Sequence, residues 1–218
     1  MIYVENKRRN LDNIKKQYPN ADILDITSTS DKRYAQILSP FYPHGGIPVP
    51  FSPGYQSFCV EAIWQGLKVF QSADVDVQMF DNNTMKHLKR TIRHFGPPLG
   101  HRKGVHGREL LDYFTARMQI YLPSYKWVLE NVPAVKEVIE KIKMRSLTND
   151  IVFLDYNTNI DFRDTSSPLS HAGLVKLYIE GNYPSEDEVY SPLTADEIKL
   201  KKESKKKKNS NDSQLTLF

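Results

Sequence analysis

The sequence predicts an α+β domain, dominated by helices and carrying a small β-sheet. Apolar residues recur at helical spacing in several stretches, and two short apolar runs have the character of strands. The 218 residues, 39% hydrophobic and 11% aromatic, are enough to build one core. That length favours one main domain followed by a tail.

Residues 7–18 predict a short helix with Leu11, Ile14 and Tyr18 on one face, broken at Pro19-Asn20-Ala21-Asp22. Ile23-Leu24-Asp25-Ile26-Thr27 alternates as a strand does. Residues 39–56, dense in Pro and Gly, predict an ordered loop. Ser57 can cap a helix running to about Phe70, with Val60, Ile63, Trp64 and Leu67 as its apolar stripe. On an adjoining face of that helix Glu61, Gln65 and Lys68 follow at i, i+4 and i+7. A helix from Thr84 to about His94 exposes a basic side of Lys86, Lys89, Arg90 and Arg93 and stops before Gly96-Pro97-Pro98. A polar connector, 100–108, carries His101, Arg102, Lys103, His106 and Arg108. Residues 109–130 predict a helix interrupted at Pro123, and 133–145 an amphipathic one with Val135, Val138, Ile139 and Ile142 inward. Ile151-Val152-Phe153-Leu154 predicts a buried strand, and residues 168–181 a last helix between Pro168 and Gly181. From Tyr190 the composition turns polar and charged. The expected division is a globular domain over 1–190 and a disordered lysine-rich tail over 191–218.

The net charge of +4 is unevenly placed. Residues 199–218 hold seven Lys against Glu203 and Asp212, which leaves 23 basic and 24 acidic side chains before them. Affinity for nucleic acid in the folded part must then come from a local patch, while the tail offers sequence-independent attraction to phosphate. Cys59 is the only cysteine, which excludes an internal disulfide and a thiolate zinc site. No signal-peptide core and no membrane-length apolar run is present, so a cytoplasmic protein without a membrane partner is expected. His101, His106 and His171 lack metal-ligand spacing, and no motif asks for a metal or another cofactor.

Glu61 and Asp155 are the candidate catalytic carboxylates, with Lys68 as a phosphate holder or proton donor. Gln65 can orient a base or a water, and Phe41, Tyr42 or Trp64 can stack a flipped base. Asn157 can read a base edge, and His171 can serve as acid or base. Plainer roles stand beside these. A Glu/Gln/Lys row is usually a solvated helix face. Trp64 can be core, Asp155 a turn cap, Asn157 a turn residue and His171 the filling of a polar pocket. The 101–108 connector is a phosphate clamp or a solvated loop.

Leu38-Ser39-Pro40-Phe41-Tyr42-Pro43, a loop, and Val60-Glu61-Ala62-Ile63-Trp64-Gln65-Gly66-Leu67-Lys68 together resemble the NADAR family. Gly100-His101-Arg102, Leu154-Asp155 and Leu174-Val175-Lys176 continue that resemblance over roughly 38–181. Pro40 stands where the family has Asn, Ala62 where it has His, and the late Asp-x-x-Trp-Gly signature is absent. The resemblance implies an N-glycosidase, one that removes ADP-ribose or another ribosyl group from a base. Cleavage through an oxocarbenium-like sugar wants a carboxylate at the sugar and a donor at the departing base.

The last residues, Gln214-Leu215-Thr216-Leu217-Phe218, resemble the peptide by which bacterial polymerases and repair proteins dock on the sliding clamp. Gln214 would bond one subsite, and Leu215, Leu217 and Phe218 would fill an apolar pocket; the other role for this tail is docking on its own domain. Together the two resemblances imply a nucleoid-associated DNA glycosylase or DNA-adduct hydrolase, acting in repair or antiviral defence. Lys86, Lys89, Arg90, Arg93, His101, Arg102, Lys103 and Arg108 would grip the DNA. The competing expectations are a non-enzymatic clamp adaptor or inhibitor, and an N-glycosidase acting on free nucleotide or ADP-ribose.

Overall fold

The computed structural model describes residues 1–204; the clamp-like peptide at Gln214, Leu215, Leu217 and Phe218 lies outside the described residues. From the N-terminus run β1 (Ile2–Asn6), α1 (Leu11–Gln17), β2 (Asp22–Asp25), α2 (Arg33–Gln36), β3 (Ile47–Pro48) and β4 (Gln56–Ser57). Next come α3 (Val60–Gly66), β5 (Lys68–Phe70), α4 (Ile92–Phe95), β6 (Pro98–Arg102), β7 (Leu110–Leu111) and α5 (Tyr113–Ala116). A π-helical turn, Arg117–Tyr121, leads into α6 (Leu122–Asn131), then α7 (Pro133–Ser146), β8 (Ile151–Asp155) and α8 (His171–Ile179). The fold is α+β, as the sequence predicts.

β8 lies between β1 and β2, parallel to both. Its apolar run is unbroken because both faces are covered, as parallel strands require. Val152 and Leu154 pack with Ile14 of α1 on one face, while Ile151 and Phe153 join the main core on the other. Strand alternation puts Asp155 on the Phe153 side, toward α8. Because the three strands are parallel, the loops that follow them leave from one edge. That edge gathers residues from positions 7–8, 26–29 and 156–157.

The helix expected over 57–70 ends at Gly66, and Lys68 instead opens β5, paired antiparallel with His101 on β6. Leu67 closes α3 and buries completely, so the chain turns there. The helix expected over 84–94 does not form. Met85 and His87 take positive φ, and only Ile92–Phe95 is helical. Leu88 explains the difference: it packs with buried Cys59 and Ala62 rather than forming a stripe with its neighbours. Within 109–130, β7 precedes the helices, and the π turn bonds the Leu122 amide to the Arg117 carbonyl. Pro123 follows at once and has no amide to give. The widened turn accommodates that loss without breaking the helical course.

Part of the stretch expected as tail contacts the globular body. Arg163 Nε donates to the Ser191 carbonyl, residues 195–204 are helical, and Lys201 Nζ lies 3.0 Å from both Asp161 and Asp164. The contacts of the globular body with this stretch therefore reach Lys201. Gly173 lets the 159–167 loop lie on α8. A Cβ there would sit 2.6 Å from Ile160 Cγ2, against the loop backbone. Gly173→Ala is expected to cost about 1–3 kcal/mol by overpacking, read as a lower denaturant midpoint. An unchanged midpoint would show that the loop shifts freely.

Candidate active site

A cavity of about 790 Å³ lies between α3, the carboxyl edge of the parallel sheet and the start of α8. Of the sequence-predicted residues, Phe41, Glu61, Trp64, Gln65, Lys68, Lys89, Asp155, Asn157 and His171 all line it. Depressions on the outer face of α7 and over the proline-rich loop hold no buried charged group.

Glu61 and Gln65 are buried although they are polar, because the face they share turns into the cavity rather than to solvent. Gln65 Nε2 donates to Glu61 Oε1 at 2.8 Å. Gln65 Oε1 accepts from Lys68 Nζ at 2.9 Å and from the Arg90 amide at 3.1 Å. Gln65 is thus committed to fixing its neighbours, and Glu61 Oε2 accepts no hydrogen bond from the described residues. Burial raises the Glu61 carboxyl above its ordinary pKa, against the Gln65 hydrogen bond and the Lys68 and Lys89 charges. Burial lowers the Lys68 ammonium, while Glu61 opposes that shift. The site therefore holds a base strengthened, and an acid sharpened, by the same desolvation.

Asp155 does not face the cavity as a free carboxylate. Its Oδ1 accepts from the Tyr156 amide at 2.7 Å. Its Oδ2 accepts from Ser170 Oγ at 2.7 Å, the Ala172 amide at 3.3 Å and His171 Nδ1 at 3.1 Å. Burial pushes Asp155 up, but the His171 charge and these hydrogen bonds outweigh it and hold it at about 2. His171 Nε2 lies 2.9 Å from the Ile26 carbonyl, so both ring nitrogens face acceptors, an arrangement that favours the imidazolium. Burial lowers the His171 pKa, but Asp155 overrides it and the net shift is upward. The pair locks α8 to β8 and to the loop after β2, a positioning role for two residues expected to do chemistry.

Trp64 forms a packed wall. His101 covers it with ring centroids 3.7 Å apart, and Tyr113 and Tyr121 meet it edge-on, each at 5.7 Å. His101 is buried with neither ring nitrogen hydrogen-bonded, and burial holds its pKa at about 3. It packs as a buried ring against Trp64 rather than opening onto solvent as the connector reading expected. Tyr42 lies outside the cavity, its ring 4.9 Å from that of His44.

The expected DNA grip is largely used up inside the protein. The buried Arg90 guanidinium donates to the Gln65, Lys68 and Asp74 carbonyls. Arg102 pairs with Asp74 at 2.6 Å and Lys103 with Glu109 at 2.8 Å. Lys86, Arg93 and Arg108 are exposed, and Lys89 lines the cavity.

Sequence reasoning missed Arg8, Thr27, Ser28, Thr29, Tyr113, Arg117, Tyr121 and Tyr156, all of which line the cavity. Arg117 is buried and donates to the Phe162, Asp164 and Ser167 carbonyls at 2.8–3.1 Å and to the Tyr113 hydroxyl. Burial, reinforced by the Glu61 charge, keeps the Tyr121 phenol neutral by raising its pKa. A π turn is a frequent mark of a functional site, and the proline in the predicted helix was its one sequence signal.

No protein of curated function matches the chain in sequence. The model of the family of unknown function DUF6939 matches residues 6–175, a span that includes every residue lining the cavity, and the chain belongs to that family.

Proposed function

We propose that this cavity is the active site of an N-glycosidase that hydrolyses the N-glycosidic linkage of a modified or ADP-ribosylated base in DNA. The observation that carries the reading is the Glu61–Gln65–Lys68 relay, a buried carboxylate and a half-buried ammonium oriented by one amide in a cavity large enough for a nucleotide. The resemblance to the NADAR family rests on these same residues and supports the same chemistry.

In this mechanism Glu61 takes a proton from water as the water oxygen bonds to C1′. The C1′–N bond breaks, its electrons leave with the base, and Lys68 supplies a proton to the departing nitrogen. The lowered pKa makes Lys68 a better acid than an exposed lysine. Tyr121 offers a neutral hydroxyl near the reacting sugar. Asp155 and His171 hold the frame. A nucleotide in duplex DNA would have to be extruded to reach Glu61. The clamp-like peptide at Gln214, Leu215, Leu217 and Phe218 supports recruitment to DNA by a sliding clamp.

A second reading, hydrolysis of a free nucleotide or ADP-ribose, is favoured by the internal ion pairs that occupy Arg102 and Lys103. The test is base release, followed by mass spectrometry, from modified duplexes, single strands and free nucleotides. Release from DNA is the expected result; release from free nucleotides alone selects the second reading. No release by a folded protein that still binds the clamp would replace both with a non-enzymatic clamp adaptor.

A further inference from the structure

We propose that the carboxyl edge of the parallel sheet is a phosphate subsite of this cavity, built by Arg8, Ser28 and Thr29 with Tyr156 as its floor. The inference rests on the N-glycosidase reading for its substrate class, a ribosyl 5′-phosphate, but on different residues. All of them lie outside the motifs that carry the family resemblance.

Parallel sheets bind ligands at this edge because their loops leave there together with unpaired amides. Here the loop after β1 brings Arg8, the loop after β2 brings Thr27 to Thr29, and the loop after β8 brings Tyr156 and Asn157. Thr29 Oγ1 is tied to Lys7 Nζ at 2.7 Å and to the Tyr156 hydroxyl at 2.9 Å, which stitches the three loops into one surface. Lys7 also pairs with Asp25 at 2.6 Å, so the one carboxylate of this corner is already neutralised. The Arg8 guanidinium lies 5.5 Å over the Tyr156 ring and makes no ion pair among the described residues. The amides of Ser28 and Thr29 donate no hydrogen bond within the described residues, nor does the Ser28 hydroxyl. Two successive free amides, a hydroxyl and an unpaired guanidinium make a corner rich in donors and poor in acceptors, the signature of an oxyanion site.

The charge of the whole cavity agrees. Its lining carries Arg8, Lys68, Lys89, Arg117 and the His171 imidazolium against Glu61 and Asp155, a surplus of three positive charges. Lys68 and Lys89 act on Glu61 at the α3 end and Arg117 is spent on carbonyls, so the free charge at the sheet edge is that of Arg8. A ligand with its glycosidic carbon at Glu61 and its phosphate at the lip would span the cavity.

The experiment is calorimetric titration of the full chain with ribose 5-phosphate and with ribose. Wild type is expected to bind ribose 5-phosphate, and ribose at least tenfold more weakly. Arg8→Glu and Thr29→Val should each weaken ribose 5-phosphate binding at least fivefold, while Lys143→Glu, an exposed charge reversal on α7 away from the cavity lining, binds it as wild type does. Arg8 is exposed, so its variant tests charge without disturbing the core. Equal affinity for ribose and its phosphate, or no effect of either lip variant, would overturn the subsite. Displacement by a nucleoside 5′-monophosphate only assigns a monoester; displacement by a short single-stranded oligonucleotide as well assigns a backbone diester. Ribose 5-phosphate binding that depends on Arg8, in a protein that releases no base from any substrate, would retain the subsite and remove the glycosidase.

Discussion

Glu61→Gln is expected to lower base release by roughly a hundredfold to ten-thousandfold and to leave the fold intact. Removal of a catalytic base costs on the order of 10²–10⁴ in rate, and among the described residues no second free carboxylate lines the cavity. The amide is isosteric with the carboxyl, and Gln65 Nε2 can go on donating to its oxygen while Gln65 Oε1 keeps Lys68 and the Arg90 amide. Stability should stay within about 1 kcal/mol of wild type, since the exchange removes a buried charge that desolvation disfavours. The pH profile gives a second readout. The Glu61 carboxyl titrates above the ordinary carboxylate range and the Lys68 ammonium below the ordinary lysine range. The acid limb of turnover should therefore lie at higher pH, and the alkaline limb at lower pH, than unperturbed groups would give. Full activity in Glu61→Gln, or an acid limb at the position of an exposed glutamate, would remove Glu61 from the chemistry.

Lys68 shows how the sequence can point to a site through the wrong geometry. Its spacing from Glu61 placed it on the same helix face, yet it reaches the cavity from β5, after the chain has turned at Leu67. The apolar periodicity of Val60, Ile63 and Leu67 was legible because burial imposes it. The end of the helix was not, because it is set by pairing with β6, which arrives some thirty residues later. The basic row at 86–93 failed for a related reason. Arg90 looked like surface charge, but three backbone carbonyls, from Gln65, Lys68 and Asp74, draw it into the interior. Local sequence does not show the carbonyls that a distant arginine will satisfy. β8 was legible because a strand buried on both faces must be apolar throughout. β1, which pairs with it from the opposite end of the chain, was not, since Tyr3, Glu5 and Asn6 give no clean alternation. With β1 unseen, Arg8 could not be placed at the sheet edge. The α3 wall of the cavity was legible in the spacing of Glu61, Gln65 and Lys68, while the opposite wall is visible only once three distant strands come together.

Asp155→Ala is expected to be the most damaging single change to the fold. It would leave the His171 imidazolium buried beside a carbonyl with no carboxylate, and would strip acceptors from Ser170, Ala172 and Tyr156. Loss of one partner of a buried pair costs about 3–5 kcal/mol. The pH dependence identifies the cause. The folded His171 pKa is raised, so its contribution is complete below the unfolded histidine value of about 6.5 and is lost as pH rises through the folded value. The folded Asp155 pKa is depressed to about 2, so its contribution is complete above the unfolded aspartate value of about 3.9 and is lost as pH falls toward the folded one. The pair should stabilise most between roughly pH 4 and 6.5. The measurement is urea unfolding of wild type and Asp155→Asn across pH 4–9. The variant should be weaker throughout, and its deficit should shrink as pH rises from about 6.5, where the unfolded histidine gives up its proton, toward the raised folded value of His171. A deficit that stays constant to pH 9 would mean that His171 is neutral at every pH tested. Asp155 would then act only as the cap of α8, and the lock between β8, α8 and the loop after β2 would owe nothing to charge.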